Sequence, residues 1–385
     1  MKRRCFRVSR GPGTRILFVL LLASVVSVYR TIPHLLTDQN RLFTEVAFVS
    51  SQEPQPWRGW SLKGSYNEPF SSPGNTQQQY YNFTVAICSI VKDAEMHLEE
   101  WIDYHLLAVG FQNMYLYDNS DNFDLQRWYQ NTRQDPVYSR VTVRHWPGME
   151  MKVGSETMLA QQAMNTDCIR RYGQDPKGPR HDYFGLFDED EYVVIQNDSY
   201  SDIRGVLQDY LVPFGGGLSV NWMLFGTSNH TVYAPVPITK RFQYRDLKAH
   251  TVVKVFAKAD DFDSILNPHA VNLLNGAITR TTKYPGAPLK KTSNTKASDF
   301  ERPSNVLLLY HYRYTSEKEY LWKRCHRGNG IGGRDWCSEG GWLQSDDVPS
   351  HVLPRPGKVF DDRAWKLLME KVPRYKVFDD WPDFS

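Results

Sequence analysis

Four consecutive carboxylates in the stretch FGLFDEDEYVV, at 184–194, could together bind a cation. They are Asp188, Glu189, Asp190 and Glu191, and they follow an apolar run with the composition of a buried strand. Burying carboxylates is costly unless a cation pairs with them. Two acids one residue apart can hold Mg²⁺ or Mn²⁺, which usually completes its coordination shell with substrate phosphates. A solvated acidic turn would have the same pattern. The position of this quartet in the fold therefore decides between a metal site and a solvated turn.

The chain before the quartet is predicted to alternate between strands and helices. Residues 83–91 form a continuous apolar run, typical of a strand covered on both faces. A helical pattern follows and ends at Gly110, and Met114 to Tyr117 predicts a second strand. Strand, helix and strand in this order indicate a βαβ unit with parallel strands. We therefore expect an α/β fold with a mostly parallel central sheet.

The alternation continues up to the quartet itself. Residues 122–131 and 155–173 have helical patterns, 141–143 predicts a third strand, and the apolar run before Asp188 predicts a fourth. In open parallel sheets, ligands bind beyond the carboxyl ends of the strands. The quartet lies at such an end, so the sequence predicts that it binds a nucleotide diphosphate through a metal ion.

The N-terminus has the pattern of a membrane-targeting segment. Six Lys and Arg residues and no acid precede the apolar run ILFVLLLASVVSVY. The run is short for a span, and Ala23-Ser24-Val25 would suit cleavage of a signal peptide. It can also extend to Leu36, and we expect an uncleaved signal anchor at 16–36. The positive-inside rule then makes 1–15 a cytoplasmic tail and the rest of the chain lumenal.

The charge of the remaining chain gives no support for a nucleic-acid partner. The whole chain has a pI near 8.4, but six of its 46 Lys and Arg residues lie in the tail. The rest of the chain has 40 Lys and Arg residues and 43 Asp and Glu residues, so it carries a small net negative charge. A nucleic-acid-binding domain should keep a basic face after the targeting residues are excluded.

The stretch 37–79 is rich in Pro, Gln, Ser and Gly and is predicted to be a stem. A folded domain is expected over 80–345, with 346–385 as an extension packed on it. Three glycosylation sequons agree with a lumenal position but are common by chance. They begin at Asn82, Asn197 and Asn229.

Four cysteines follow the predicted anchor. Cys325 and Cys337 flank the loop HRGNGIGGRDW and are predicted to form a disulfide in an oxidising lumen. Cys88 lies in an apolar strand and is predicted to be a buried thiol. No cysteine spacing is typical of a zinc site.

Five ordered blocks of the sequence match the motifs of one enzyme family. They are ICSIVKDAEMHLEEWIDYHLLAVGF, MYLYDNSDNF, FGLFDEDEYVV, SVNWMLFGTS and YHYRYTSEKEYLWKRCHRG. Together they resemble glycosyltransferases of the GT-A fold, specifically family 92 and related family-2-like enzymes. The chain departs from the family at Asp93-Ala94, where Asn-Glu is usual, and at Tyr192, where Phe is usual. The resemblance implies a Rossmann-like, nucleotide-sugar-binding catalytic domain over 80–345.

This resemblance implies a metal-bound UDP-sugar donor. Asp188 and Asp190 would coordinate Mn²⁺ or Mg²⁺ between the two phosphates, and the metal would neutralise charge on the departing UDP. His311 would supply a third ligand, although a His beside a Tyr is more often structural. Glu191 would lie behind the ligands or face the acceptor.

The resemblance also assigns residues to the donor and acceptor pockets. Lys92, Asp118 and Lys254 would border the nucleotide or bind its phosphates, while Trp222 and His269 would line the acceptor site. Read from the residues alone, Asp118 also suits a turn, and Trp222 suits core packing equally well.

Inversion at the anomeric carbon, as in the family, requires a carboxylate that takes the proton of the acceptor hydroxyl. The candidates are Glu191, Asp261 and Glu317, with Asp260 and Asp263 as neighbours of the second. The sequence does not choose among them.

Taken together, we expect a metal-dependent, inverting glycosyltransferase that transfers a sugar, by resemblance galactose, from a UDP-sugar to a glycan acceptor. It would be a single-pass type II protein of the Golgi or ER membrane with its catalytic domain in the lumen. A glycoside hydrolase is a second hypothesis. It is disfavoured because two neighbouring acids are better placed to bind one metal ion than to act from opposite faces of a sugar ring. A non-catalytic glycan-binding protein with the same fold is a third.

Overall fold

The computed structural model describes residues 81–120, 125–148, 150–153, 156–290, 298–325 and 354–381. The predicted tail, anchor and stem, and Cys337, lie outside these ranges. Within them, no helix combines the length and the apolar character that crossing a membrane requires.

Strands and helices are numbered in chain order through the described residues. The strands are β1 (Val85–Val91), β2 (Asn113–Asp118), β3 (Val141–His145), β4 (Glu150–Val153), β5 (Glu156–Leu159), β6 (Tyr183–Leu186), β7 (Glu191–Ile195), β8 (Gly217–Leu224), β9 (Tyr244–Arg245), β10 (Val253–Lys258), β11 (Phe262–Asn267), β12 (Ala270–Leu273), β13 (Thr279–Thr281), β14 (Leu307–His311) and β15 (Val359–Phe360). The α-helices are α1 (Leu98–Asp103), α2 (Leu125–Thr132), α3 (Ala160–Ile169), α4 (Ile203–Tyr210), α5 (Ile238–Arg241), α6 (Glu317–Cys325) and α7 (Arg363–Lys371). α1 and α3 continue as π-helical segments, Tyr104–Val109 and Arg170–Gln174, and 3₁₀ turns span Tyr138–Arg140, Ala259–Asp261 and Pro373–Phe378.

The central sheet has the order β3-β2-β1-β6-β10-β8-β14-β7, with β13 beside β8. β1 is parallel to β2 and β6, and β2 is parallel to β3, as the βαβ pattern predicts. β10 runs antiparallel to both of its neighbours, and β14 is parallel to β8 but antiparallel to β7. The α/β class is confirmed, but the sheet is mixed, and the prediction of a mostly parallel sheet is wrong. A strand buried on both faces has the same apolar sequence whichever way it runs.

β1 explains why both faces of the sheet are covered. Successive residues of a strand point to opposite faces. Val85, Ile87 and Val91 pack in one hydrophobic cluster with residues of α1 and α4. Ala86 and Cys88 pack in a second cluster with residues of α3. The sheet is thus the middle layer between two helical layers.

Cys88 is bonded to Cys168 of α3, with the two Cα atoms 6.2 Å apart. The prediction of a buried free thiol is therefore wrong. The two residues are 80 positions apart in the sequence and meet where α3 packs on the second face of β1. No local sequence pattern predicts this pairing. Cys325 is also disulfide-bonded. Its pairing with Cys337 stays a prediction, because Cys337 lies outside the described residues.

The C-terminal segment 354–381 contributes to the core. β15 pairs with β9, and Trp365 and Leu368 of α7 are buried in the cluster that contains α1. The hydroxyl of Tyr375 donates a hydrogen bond of 2.7 Å to the buried carboxylate of Asp103, which also pairs with Arg374. The C-terminal segment is therefore held by both apolar and charged contacts.

His105, at the second position of the π-helical turn after α1, is a buried neutral ring. Its Nδ1 lies 2.8 Å from the carbonyl oxygen of Trp101, and its Nε2 accepts the N–H of Val193 at 3.2 Å. These contacts assign the ring proton to Nδ1. Burial lowers the pKa of His105 to about 3, from an ordinary value of 6.5.

We predict that this ring makes the fold sensitive to acid. Below pH 6.5 His105 binds a proton in the unfolded chain but stays neutral in the folded protein. The free energy of unfolding therefore falls as the pH drops towards 3. Each pH unit contributes about 1.4 kcal/mol. In His105→Gln, the loss of unfolding free energy between pH 7 and pH 4.5, measured by urea titration, should shrink by about 2 to 3 kcal/mol. An unchanged loss would assign the acid sensitivity to other groups.

Candidate functional site

The acidic quartet forms the connection from β6 to β7. β1, β2 and β6 are parallel neighbours, so their carboxyl ends share one edge of the sheet. Lys92 follows β1, Asp118 is the last residue of β2, and Asp188 comes shortly after β6. On the other side, Glu191 at the start of β7 is the direct partner of His311 at the end of β14. The sheet thus brings five of the predicted site residues to one edge.

Asp188 and Glu191 share a cation, Lys254 of β10. The Nζ atom of Lys254 lies 2.8 Å from Oδ2 of Asp188 and 3.5 Å from Oε2 of Glu191. Oε2 of Glu191 also accepts the N–H of Asp188 at 3.0 Å. Gln161 of α3 donates to Oδ1 of Asp188 at 2.5 Å. These contacts fix the acidic loop from two sides.

Burial sets the protonation of this cluster. Glu191 is fully buried, and burial raises its pKa well above the usual range against the pull of Lys254. Burial would lower the pKa of Lys254, but Asp188 and Glu191 overcome it and raise that pKa. The ammonium therefore stays charged, with Asp188 as its principal partner at the shorter distance.

Asp190 faces a different pair of residues. Its Oδ2 atom lies 3.4 Å from Nε2 of His311 and accepts a hydrogen bond from Nζ of Lys323 in α6. The side chain of Asp190 is only 7 % exposed. Burial alone would raise the pKa of Asp190, but Lys323 and then His311 outweigh it and hold the pKa well below its usual range. Asp190 is a buried, ionised carboxylate.

The residues around Asp190 fit a divalent ion in part. Oδ2 of Asp190 and Nε2 of His311 are adjacent donors of the kinds that bind Mn²⁺ or Mg²⁺. Nδ1 of His311 has no hydrogen-bond partner among the described residues. Asp188 faces Lys254 instead, and no cluster of three His, Cys, Asp or Glu residues suited to a metal occurs in the described ranges. The structure thus brings together two of the three predicted ligands.

Asp118 and Lys92 lie at the same edge, two strands and one strand away from the quartet. Oδ1 of Asp118 accepts the N–H of Ser120 at 2.9 Å, which closes the turn after β2. Burial raises the pKa of Asp118. Lys92 is half-buried at the end of β1. Their positions suit the border of a ligand pocket, while Asp118 also has the turn role that its sequence allows.

Trp222 and His269 lie beside His311. The ring centroid of Trp222 is 4.5 Å from that of His311 and 5.2 Å from that of His269. Trp222 is 9 % exposed, and its indole Nε1 has no hydrogen-bond partner within the described part of the chain. Burial, and then Lys254, lower the pKa of His269 to about 4. Trp222 therefore belongs to the wall behind His311 and presents little of its face to a sugar.

The three predicted general bases lie in different places. Glu191 is buried within the loop, as described. Asp261 lies beyond the far end of β10 from Lys254, where its Oδ2 accepts the N–H of Gly216 at 2.7 Å. That contact is structural and is remote from the quartet. Glu317 is exposed in the first turn of α6, the helix that also carries Lys323.

Helix α6 is fixed at its N-terminus by a capping box, Ser316-Glu317-Lys318-Glu319. The N–H of Ser316 donates to Oε2 of Glu319 at 3.2 Å, and the N–H of Glu319 lies 3.4 Å from the hydroxyl of Ser316. Arg241 of α5 binds both oxygens of Glu319, at 2.7 and 3.0 Å. Burial would raise the pKa of Glu319, but Arg241 overcomes it and lowers the pKa to about 2.

Lys323 and Gln161 are site residues that the sequence analysis missed. Lys323 lies within the last of the five blocks, one turn after the capping-box Glu319, so its place on α6 could have been predicted from S-E-K-E-Y-L-W-K. Gln161 has no comparable signal, because its contact with Asp188 depends on the packing of α3 against the edge of the sheet.

Comparison with known proteins supports the resemblance seen in the sequence. No protein-family model matches the chain. A glycosyltransferase family 92 protein of Oryza sativa subsp. japonica is 26 % identical over 220 residues, covering 57 % of this chain and 34 % of the relative. The chain thus spans about a third of the length of this curated relative. The predicted similarity to glycosyltransferase family 92 is confirmed.

A second similarity is structural and weak. The apo structure of the bifunctional glycosyltransferase WbbM matches 40 % of this chain and 25 % of its own, at 15 % identity and a TM-score of 0.19. A TM-score of this size carries no argument about the fold.

We predict that Glu319→Gln lowers the unfolding free energy by about 3 kcal/mol, because it leaves Arg241 buried without its charged partner. Chemical denaturation at pH 7 measures the change. Lys318→Gln is the matched control, since Lys318 is exposed in the same turn of α6 and should cost less than about 0.5 kcal/mol. Equal effects of the two substitutions would contradict a stabilising role for the Arg241–Glu319 pair.

Proposed function

We propose that this protein is a glycosyltransferase that transfers a sugar from a UDP-sugar to a glycan acceptor with the help of a divalent metal ion. One observation carries the proposal: the buried, ionised carboxylate of Asp190 lies beside Nε2 of His311 at the carboxyl edge of the sheet. Ligands of open α/β sheets bind at this edge. The similarity to a family 92 glycosyltransferase supports the same reading.

In this proposal Asp190 and His311 hold Mn²⁺ or Mg²⁺, and the donor diphosphate completes the coordination shell. The bound metal would supply positive charge for the departing UDP. Asp188 would hold the acidic loop in place through its contacts with Lys254 and Gln161, and its role as a metal ligand stays a prediction. Lys254 is 1 % exposed and supports the loop in the same way, and its contact with the donor phosphates stays a prediction.

The donor's nucleotide would lie along the carboxyl edge towards Lys92 and Asp118. Lys92 follows β1, the neighbour of β6, and Asp118 ends β2, the next strand along, so this edge is continuous with the acidic loop. The acceptor role of Trp222 and His269 stays a prediction, because Trp222 packs against the rings of His311 and His269 and is only 9 % exposed. Galactose as the donor sugar rests on the family resemblance alone.

An inverting transfer needs a carboxylate base that is ionised and can reach the acceptor hydroxyl. Glu191 suits this role poorly, because it is fully buried and its pKa is raised. Asp261 lies at the opposite end of β10. Glu317 is the predicted candidate that is both exposed and on an element of the site, about 9 Å along α6 from Lys323. We therefore propose Glu317 as the first residue to test for this step.

We also propose that the domain works in the lumen of the Golgi or ER, held by the N-terminal anchor of a type II membrane protein. The disulfide between Cys88 and Cys168 supports an oxidising compartment. The basic tail and the apolar run before the stem support the orientation.

The decisive activity experiment incubates the purified full-length chain with a panel of UDP-sugars and Mn²⁺ and follows the release of UDP. Release with one donor sugar, stimulated by a glycan acceptor and lost on chelation, is the expected result. Release of sugar from glycans without any nucleotide would favour a glycoside hydrolase. No turnover together with glycan binding would favour the non-catalytic reading.

We predict that Asp190→Asn abolishes the strengthening of UDP binding by Mn²⁺. The substitution keeps the shape of the side chain but removes the ligand charge, and loss of such charge stabilisation typically costs a hundredfold or more in turnover. Calorimetric titration of UDP, with and without Mn²⁺, measures the binding directly.

The control for this titration is Asp198→Asn. Asp198 is 92 % exposed in the loop after β7 and pairs with Arg363, so its substitution should leave the Mn²⁺ effect unchanged. Metal-dependent UDP binding that survives in Asp190→Asn would show that the metal lies elsewhere.

A further inference from the structure

We propose that Lys323 is an internal counter-ion, which occupies the cation position at Asp190 in the free protein and transfers to the donor diphosphate when the metal binds. This inference rests on the proposed function and deepens it. It assigns a positioning role to a residue outside the predicted site, and it makes metal and nucleotide binding depend on each other.

The first observation is a shared atom. Nζ of Lys323 and Nε2 of His311 both contact Oδ2 of Asp190. A metal ion held by Asp190 and His311 needs the same oxygen that Lys323 uses. The metal and the ammonium group are therefore competitors for one carboxylate.

The second observation is burial. The side chain of Asp190 is 7 % exposed, so the free protein needs a cation there to keep the carboxylate ionised. Lys323 is 24 % exposed, more than the carboxylate that it contacts. It can leave Asp190 without first being extracted from the core.

The third observation is that the helix is fixed while the side chain is not. The capping box and the Arg241–Glu319 pair hold the first turn of α6. Lys323 extends from the next turn on a flexible four-carbon stem. A shift of its ammonium group from Asp190 to a neighbouring phosphate requires only side-chain rotation.

These contacts predict coupled binding. Metal alone must displace Lys323 and leave it beside a divalent ion with no anion to bind. A diphosphate supplies that anion, so nucleotide should strengthen metal binding and metal should strengthen nucleotide binding by the same factor. Removing the ammonium group should weaken this coupling and raise the affinity of the site for the metal in the absence of nucleotide.

The test is a Mn²⁺ titration of the full-length chain, with free Mn²⁺ followed by electron paramagnetic resonance, in the absence and presence of UDP. Lys323→Met should bind Mn²⁺ alone about tenfold more tightly than the wild type. The factor by which UDP strengthens Mn²⁺ binding should be smaller in this variant than in the wild type, by about tenfold or more. Lys318→Met, exposed on the first turn of α6, should behave as the wild type in both titrations.

Two further variants keep the test decisive. Lys323→Gln, which retains a hydrogen-bond donor, is measured beside Lys323→Met in case the apolar side chain prevents folding, and the same gain in Mn²⁺ affinity is expected. Lys323→Arg keeps the charge and should retain the coupling between Mn²⁺ and UDP.

The outcomes separate this inference from the proposed function. If UDP strengthens Mn²⁺ binding equally in the wild type, Lys323→Met and Lys323→Gln, the counter-ion role is wrong while the metal-bound donor stands. If both variants gain Mn²⁺ affinity but no form of the protein binds UDP, Lys323 is a counter-ion at Asp190 and the donor assignment fails. If Mn²⁺ affinity is unchanged in both variants, the inference is overturned.

Discussion

The structure depends on one electrostatic constraint: carboxylates at the end of a buried strand must have cations. Asp188 and Glu191 share Lys254, and Asp190 has Lys323. The two lysines come from elements far apart in the sequence, so the acidic loop is tied to two regions of the fold. If either lysine were missing, the loop would have to take up protons or move into solvent.

The mixed sheet satisfies the same requirement. Lys254 lies near the start of β10, and β10 runs antiparallel to β6, so the start of β10 lies beside the end of β6 where Asp188 stands. A parallel β10 would have placed this lysine at the opposite edge. The antiparallel pairing of β7 with β14 likewise sets Glu191 opposite His311. The strand directions that differ from the predicted pattern are thus the ones that assemble the site.

Sequence reasoning succeeded where the signal was local. The βαβ units at the start of the domain follow from apolar runs and helical periodicity, and the parallel pairing of β1 with β2 follows from their connection. The position of the quartet at a strand end follows from the same pattern. The resemblance to family 92 came from ordered blocks, and it led to both Asp190 and His311, which the structure sets side by side.

Long-range contacts were beyond local patterns. The bond between Cys88 and Cys168 joins a strand to a helix, and neither residue's surroundings in the sequence identify the other. Asp188 and Asp190 were expected to share one metal because they are two residues apart, yet each faces a different lysine. The direction of β10 places Lys254 beside Asp188, and that direction is a property of the whole sheet.

The most direct test of the metal-bound donor is a crystal structure with UDP and Mn²⁺, using anomalous scattering to locate the metal. We expect one Mn²⁺ peak within coordination distance of Asp190 and His311, with the diphosphate completing the shell and the Lys323 ammonium group on a phosphate oxygen. A Mn²⁺ peak away from Asp190, with Lys323 still bound to that carboxylate while UDP occupies the protein, would contradict it.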